Sequence, residues 1–263
     1  MKIAILSDIH SNPVAFKKCI DDAEEKGCER IVCLGDIVGY GYDPTSCIRI
    51  CREKKMLCIM GNHDAGLVGR LSLEWFSSVA KCGVMRQIPQ VREEDKRWLD
   101  NLPYREMECS NDGFAVAYAH GTFEFPGRFD YIQYYSDAML EFPYLKKNGI
   151  KALFVGHTHF ANAFVIDKNY NVSEQYVNLE DSNSLNLDED QITIVNVGSC
   201  GYPRNQPYSI YCIYDDVRHT ATHQILEFDF DDYVQKMGDA SISVPLWLES
   251  QKDEANARRP QWR

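Results

Sequence analysis

With 263 residues, 44% of them hydrophobic, the chain can fill one large α/β core or two smaller ones. A formal net charge of −11 argues against a general polyanion binder, because non-specific nucleic-acid affinity comes from Lys and Arg neutralising phosphates. The same charge leaves room for a small anionic substrate held by metal ions, whose charge acts locally.

Residues 3–6 form a continuous apolar run, as expected of a strand buried on both faces. After a loop at 8–12, Pro13 opens a helix with Val14, Ala15, Phe16, Cys19, Ile20 and Ala23 at helical spacing, and Gly27 ends it. Residues 31–34 read as a second strand, 44–55 as a second helix and 57–60 as a third strand. Two βαβ units in this stretch imply parallel strands with right-handed crossovers. Residues 72–87 and 92–101 are helical in pattern, with Trp75, Phe76 and Trp98 assigned to the core. A strand at 114–118, a helix at 131–147 and a buried strand at 152–155 follow. From residue 161 the period changes to two, and 163–166, 175–178, 192–195, 208–214 and 223–228 are expected to build a mostly antiparallel second sheet. The acidic, Asn-rich stretch 178–191 reads as a mobile surface loop, and the polar tail after about residue 248 as frayed. No repeat or linker interrupts the chain, so a single domain over 1–263 is expected.

Ten cysteines could suggest a secreted disulfide framework, but no CxxC pair occurs, and Cys33, Cys58 and Cys212 lie in apolar runs as small core residues. The first residues run straight into a strand, and no apolar stretch approaches membrane-spanning length. Reduced thiols and a cytoplasmic location are expected.

Five of the seven histidines fall in short motifs, each just past an expected strand. These are Asp8-Ile9-His10, Gly61-Asn62-His63-Asp64, Ala119-His120-Gly121 and Gly156-His157-Thr158-His159, joined by the aspartate of Gly35-Asp36. Strand ends are where an α/β sheet places its ligands. The absence of Cys from the motifs disfavours a structural zinc site. Imidazole mixed with carboxylate suits Mn, Fe, Zn, Ni or Co. Asp8, His10, Asp36, Asn62, His120, His157 and His159 are too many ligands for one tetrahedral ion, and fit two ions sharing one carboxylate.

In this order the motifs resemble those of the calcineurin-like metallophosphoesterase superfamily. Asn196-Val197-Gly198-Ser199 is similar to the family's late Asn-Pro-Gly-Ser turn, with Val in place of Pro. Ser7-Asp8-Ile9-His10-Ser11-Asn12, Gly35-Asp36-Ile37-Val38-Gly39-Tyr40-Gly41 and Gly201-Tyr202-Pro203-Arg204 resemble, more narrowly, its small bacterial and archaeal phosphodiesterase branch. The resemblance implies a four-layer α/β/β/α sandwich of two mixed sheets, with a dinuclear site at one edge. It puts Asp8, His10, Asp36 and His159 on one ion, and Asp36, Asn62, His120 and His157 on the other. It implies a metal-bridging hydroxide as nucleophile. His63 faces the substrate in this pattern, donating to a phosphate oxygen or protonating the leaving group.

The chain also departs from the family. Its protein phosphatases carry Gly-Asp-x-x-Asp-Arg-Gly, and here the second Asp is Gly39 and the Arg is Tyr40. Loss of a bidentate Arg weakens recognition of a phosphomonoester dianion. Loss of the acid that orients the motif histidine leaves His63 less basic unless Asp43 or Asp64 substitutes. A phosphodiester or dinucleoside polyphosphate is therefore the expected substrate, a phosphomonoester the alternative. A nuclease is disfavoured by the missing basic strip. A non-catalytic scaffold is disfavoured because all seven ligand positions and His63 are kept. Arg204 is the candidate for the missing positive charge, and Tyr40 and Tyr42 serve either as packing residues or as stacking platforms for a base. Asn12 reads either as a substrate contact or as the cap of the Pro13 helix. His219 and His223 read as structural. A small phosphorylated substrate, with nucleotides among the candidates, is the expected partner, and neither a membrane nor extended nucleic acid is.

Overall fold

The computed structural model describes residues 1–177, 184–204 and 208–243. β1 (Lys2–Leu6), β2 (Arg30–Cys33) and β3 (Leu57–Cys58) pair in parallel, with α1 (Pro13–Glu25) and α2 (Pro44–Glu53) as crossovers. Each helix starts where an Asn or Asp accepts a backbone N–H ahead of a first-turn proline: Asn12 from Ala15 and Asp43 from Ser46. A short helix α3 (Asn62–Leu67) follows β3 directly and carries Asn62, His63 and Asp64.

The expected helix over 72–87 is interrupted. A 3₁₀ turn at Leu73–Trp75 ends in extended backbone at Phe76, and α4 (Ser78–Gln87) begins only after Ser77 caps it through Ala80 N–H. The serine caps at Ser72 and Ser77 supply local partners that compete with a continuous helix. Trp75 is therefore thrown into solvent, 84% exposed, and is not core. Phe76 and Trp98 do pack against the core, the latter from α5 (Glu93–Asp100).

The next elements are β4 (Arg105–Cys109), β5 (Ala115–Ala119), α6 (Tyr135–Lys147), β6 (Ile150–Val155), β7 (Ala161–Ile166) and β8 (Val172–Tyr176). β9 (Ser184–Asn186), β10 (Ile192–Val197), β11 (Tyr208–Asp215), β12 (Thr220–Glu227) and α7 (Phe230–Asp239) complete the described chain. One sheet has the order β3-β2-β1-β11-β12-β9 and the other β4-β5-β6-β10-β7-β8, and both are mixed.

The late strands thus do not form one sheet. β11 and β12 join β1 in the first sheet, whereas β7, β8 and β10 extend the second. Alternation shows that a strand has two environments but not which sheet it joins. β11 is buried along both faces, with Tyr211 and Ile213 toward the helices and Cys212 and Tyr214 toward the other sheet. Part of the expected loop at 178–191 is ordered: β9 pairs with β12 and Leu187 is buried, while 178–183 and the tail after 248 lie outside the described residues. β4 was not expected, because an edge strand of charged residues has no apolar alternation to read.

Three apolar clusters layer the molecule. α1 and α2 cover one face of the first sheet, where Phe16, Ile20, Ile48 and Cys51 meet Ala4, Leu6 and Cys33. Ile3, Ile5, Val32 and Leu34 pack across the inter-sheet space on Val116, Tyr118, Phe154 and Val195. Ala138, Phe142 and Leu145 of α6 cover the outer face of the second sheet. This is the four-layer α/β/β/α arrangement.

His223 is buried between these layers and its Nε2 hydrogen-bonds to the Asn196 carbonyl at 2.9 Å. Burial pushes its pKa down from an ordinary 6.5 to about 4. The unfolded chain therefore takes this proton at a higher pH than the folded one, and stability falls as pH drops from 6.5 to 4. The loss is about 3 kcal/mol at about 1.4 kcal/mol per pH interval. His223→Gln keeps a donor without a titrating ring. Urea unfolding across this window is expected to show a flatter pH dependence in the variant, and an identical slope contradicts the assignment.

Candidate metal centre

The motif loops leave the ends of β1, β2, β3, β5 and β6 on one side of the two sheets. Asp8 N–H donates to Gly35 O at 3.1 Å, His10 N–H to Asp36 O at 2.9 Å, and Gly156 N–H to His120 O at 3.0 Å. Asp8, His10, Ser11, Asp36, His157 and His159 all adopt left-handed backbone, with φ between 48° and 66°. Such residues cost roughly 1–3 kcal/mol each and persist only where the surroundings enforce them. Their concentration in these loops marks a site built at the expense of local stability.

Asp36 lies at the centre. Its Oδ2 is 3.6 Å from His10 Nε2, 3.4 Å from His120 Nε2 and 4.0 Å from His63 Nε2. Its Oδ1 accepts the His63 backbone N–H at 2.8 Å. On one side, Asp8 Oδ1 lies 3.2 Å from His159 Nε2 and 3.7 Å from His10 Nε2. On the other, His120 Nε2 lies 3.2 Å from Asn62 Oδ1 and 3.1 Å from His157 Nδ1. The Asp36 carboxylate thus lies between the Asp8, His10 and His159 group and the His120, His157 and Asn62 group, and all seven expected ligands together with His63 are brought together.

The orientation of the rings tests whether a cation fits. His10 Nδ1 meets Val38 O at 3.0 Å, His120 Nδ1 meets Leu34 O at 2.8 Å and His159 Nδ1 meets Tyr202 O at 2.6 Å. A carbonyl only accepts, so in each ring Nδ1 carries a hydrogen, and in the neutral form the Nε2 lone pair faces the site. In the neutral rings, His10 and His159 then point lone pairs at each other across 3.1 Å. Asp8 Oδ1, buried, faces the same two Nε2 atoms at 3.2 Å and 3.7 Å. With the rings neutral, acceptors converge on acceptors, which a pair of cations would satisfy. The field says the same. Burial disfavours a charged His120, yet the Asp36 carboxylate beside it outweighs that cost and raises the pKa to about 9. Asp36 and Asp8 are held well below the usual carboxylate range by the imidazoles around them, against the effect of burial.

His63 sits against Asp36, His10 and Phe76, its ring centroid 4.7 Å from that of His10 and 5.2 Å from that of Phe76. Burial lowers its pKa to about 3. Its Nδ1 is buried without a partner. Neither Asp43 nor Asp64 substitutes for the missing orienting acid. Asp43 caps α2, and Asp64 accepts backbone N–H groups from Ile37, Val38 and Gly61, tying two motif loops together. Gly39 has φ +92°, and a Cβ there would meet His63 Nδ1 at 2.0 Å. The ring occupies the space that a side chain at position 39 would need.

The three expected substrate contacts fall differently. Asn12 is engaged at both ends, accepting from Ala15 N–H at 3.2 Å and donating to Gly201 O at 3.1 Å, so the cap accounts for it. Tyr40 reaches the site: it packs edge-on to His10, stacks on Tyr202 at 4.2 Å and lies 4.6 Å from His63. Arg204 donates to the Tyr40 hydroxyl at 3.2 Å and is also hydrogen-bonded to the Tyr131 hydroxyl. Tyr42 turns away and packs on Tyr233.

Sequence reading missed Tyr131 and Gln87. Tyr131 stacks flat on His157, centroids 3.8 Å apart, from an irregular segment ahead of α6. Gln87, fully buried on α4, accepts from Ser11 Oγ and Gly39 N–H and donates to Gly41 O, fixing the loop behind His63. A lone Gln or Tyr carries no spacing signal that could have marked either.

Comparison with known proteins agrees with this geometry. Residues 1–218 match the family model described as a calcineurin-like phosphoesterase superfamily domain. An uncharacterised protein of Methanocaldococcus jannaschii is 31% identical over 255 residues, spanning 94% of this chain and 95% of its own. The crystal structure of a metallophosphoesterase from Sphaerobacter thermophilus superposes with a TM-score of 0.78 at 30% identity, covering 95% of this chain and 98% of that one. A hypothetical protein from Pyrococcus horikoshii shares the fold, with a TM-score of 0.70 at 16% identity over 95% and 97% of the two chains.

Proposed function

The chain belongs to the calcineurin-like phosphoesterase superfamily, whose members use paired metal ions, and from that premise we propose that it hydrolyses a phosphodiester or a dinucleoside polyphosphate. Asp8, His10, Asp36 and His159 would hold one divalent ion and Asp36, Asn62, His120 and His157 the other, as Mn, Fe, Zn, Ni or Co. When bound, two such ions supply Lewis-acid charge that polarises phosphoryl oxygens and brings the pKa of a water down to about 7.

The chain's own groups do the rest. The carbonyls of Val38, Leu34 and Tyr202 hold three imidazoles in the ligating tautomer, so no ring has to reorient when the site fills. His63, in contact with Asp36 but outside both ligand sets, is placed to give a hydrogen bond to a phosphoryl or leaving-group oxygen. His63→Ala is expected to lower diester turnover about 10²-fold with bound metal unchanged. Intact turnover of a nitrophenyl diester by this variant removes the donor role.

The observation that carries the substrate reading is the filling of position 39 by the His63 ring, with Tyr40 where the family's phosphatases carry Arg. Among the described residues no guanidinium is paired with Asp36, and Arg204 is tied to the Tyr40 and Tyr131 hydroxyls, so a singly charged phosphoryl group suits the site better. Tyr40→Arg is expected to raise monoester turnover relative to diester by roughly tenfold, the value of one charge-assisted hydrogen bond. An unchanged ratio contradicts the specificity argument. One observation favours phosphomonoester hydrolysis instead: the Arg204 guanidinium reaches the rim at Tyr40 and Tyr131, where it could meet a terminal phosphate.

All ten cysteines are free, in keeping with a reducing, cytoplasmic setting. Among the described residues no helix is long and apolar enough to cross a membrane. The partner is a small phosphorylated molecule, and 1–263 acts as one domain.

A further inference from the structure

Outside the paired site, a cluster of ligating side chains among the described residues is buried with no role so far. Cys33 ends β2, Cys58 ends β3 and Cys51 lies on the inner face of α2, and their three sulfurs lie within 4.8 Å of one another. Cys33 and Cys58 are register partners on neighbouring parallel strands, so both side chains leave the sheet on the helix face, where Cys51 meets them. The three come from separate elements held by the main core, so their spacing is set by the fold.

The sulfurs are also hydrogen-bonded as a unit. Cys58 receives the thiols of Cys33 and Cys51, which outweighs burial and brings its pKa down to about 6. Cys33 sulfur receives the backbone N–H of Gly35. Three thiols converging in an apolar layer, with Cys58 also donating to Met56 O at 3.7 Å, are a ready ligand set for a soft cation that displaces their protons. Metal–sulfur bonds of about 2.3 Å put the sulfurs of a three-coordinate ion about 4 Å apart, compatible with three sulfurs that all lie within 4.8 Å of one another. Zn(II) wants a fourth ligand. Cys47, one turn earlier on α2, is buried nearby but outside the group of three.

We propose that Cys33, Cys51 and Cys58 form a trigonal three-sulfur site for one thiophilic d10 cation of the Cu(I) type. As each metal–sulfur bond forms, a thiol proton leaves to solvent, and the ion keeps its charge without electron transfer. Entry is easiest at β3, a two-residue strand at the edge of its sheet. Cys33 stands three residues before Asp36 and Cys58 four before Asn62. A bound ion thus staples together the strands from which two loops of the paired site depart.

The test uses the full chain with Cys28, Cys82 and Cys109, the three that are not buried, changed to Ser. The reduced protein, its paired site preloaded with Mn(II), is titrated anaerobically with Cu(I) supplied as its acetonitrile complex. A second sample is produced in copper-supplemented medium, so that the ion can enter during folding. The expected result is a sulfur-to-copper charge-transfer band saturating at one equivalent. It should be lost in both Cys51→Ala and Cys58→Ala, and the loaded protein should unfold about 5 °C higher. No band in either sample, or an undiminished band in both variants, overturns the site and leaves three ordinary core thiols. Because the band reports sulfur ligation alone, it is independent of phosphoester turnover.

Discussion

Asp36→Asn is expected to reduce phosphoester turnover on the order of 10³-fold, and bound metal from two ions per chain to one or fewer. Residues that only orient ligands cost 10–100-fold when changed, and Asp36 does more than that. Its Oδ2 lies within 3.4 to 4.0 Å of imidazoles from three loops, and its carboxylate is the group common to the two proposed ligand sets. An amide has one oxygen rather than two and no charge, so it cannot neutralise cations on both sides. The Asn is nearly the same shape, and its side-chain oxygen can still accept the His63 N–H, so the fold should survive. Metal analysis beside turnover checks this. A variant that keeps two ions and near-normal turnover contradicts the shared-carboxylate assignment.

Gly39→Ala is expected to cost roughly 2–4 kcal/mol in stability and about 10²-fold in turnover, with metal content unchanged. The stability loss has two sources: a left-handed φ of +92° that a Cβ disfavours, and an overlap of that Cβ with His63 Nδ1 at 2.0 Å. The ring is hemmed in by Tyr40, Phe76 and His10, so it must shift. A displacement of about 1 Å at a group that contacts substrate can cost 10²-fold. The ligand atoms are fixed from the opposite side by the carbonyls of Val38, Leu34 and Tyr202, so the ions should stay. Gly39→Asp would carry the same clash, so restoring the phosphatase pattern at this one position should not yield a phosphatase. Wild-type turnover in Gly39→Ala would mean that the position of His63 is immaterial.

The site was far more legible than the sheets. Each ligand sits within a few residues of a strand end, and strand ends converge in any parallel α/β layout, so Asp8, Asp36, Asn62, His120 and His157 could be grouped from order alone. The inner backbone of the first sheet was legible for the same local reason: residues 3–6 and 31–34 are unbroken apolar runs. Partition of β11 and β12 was not, because pairing with β1 depends on which strand offers a free edge, and no local pattern records that. Trp75 was misplaced because an apolar count cannot see Ser77 restarting the helix. Tyr131 escaped because its stacking on His157 joins an irregular segment to the end of a different strand. Asn12 carried both readings in sequence, and the geometry of its amide decides for the cap.

The most direct test of the central claim is metal reconstitution with paired substrates. Metal-stripped protein is reloaded with Mn, Ni, Zn or Mg and assayed on a nitrophenyl phosphate monoester, the matching diester and a dinucleoside tetraphosphate. The account predicts activity that returns with two ions per chain, with diester or tetraphosphate cleaved in preference to monoester. Two bound ions with no cleavage of any substrate would contradict it, and would make the site a structural one.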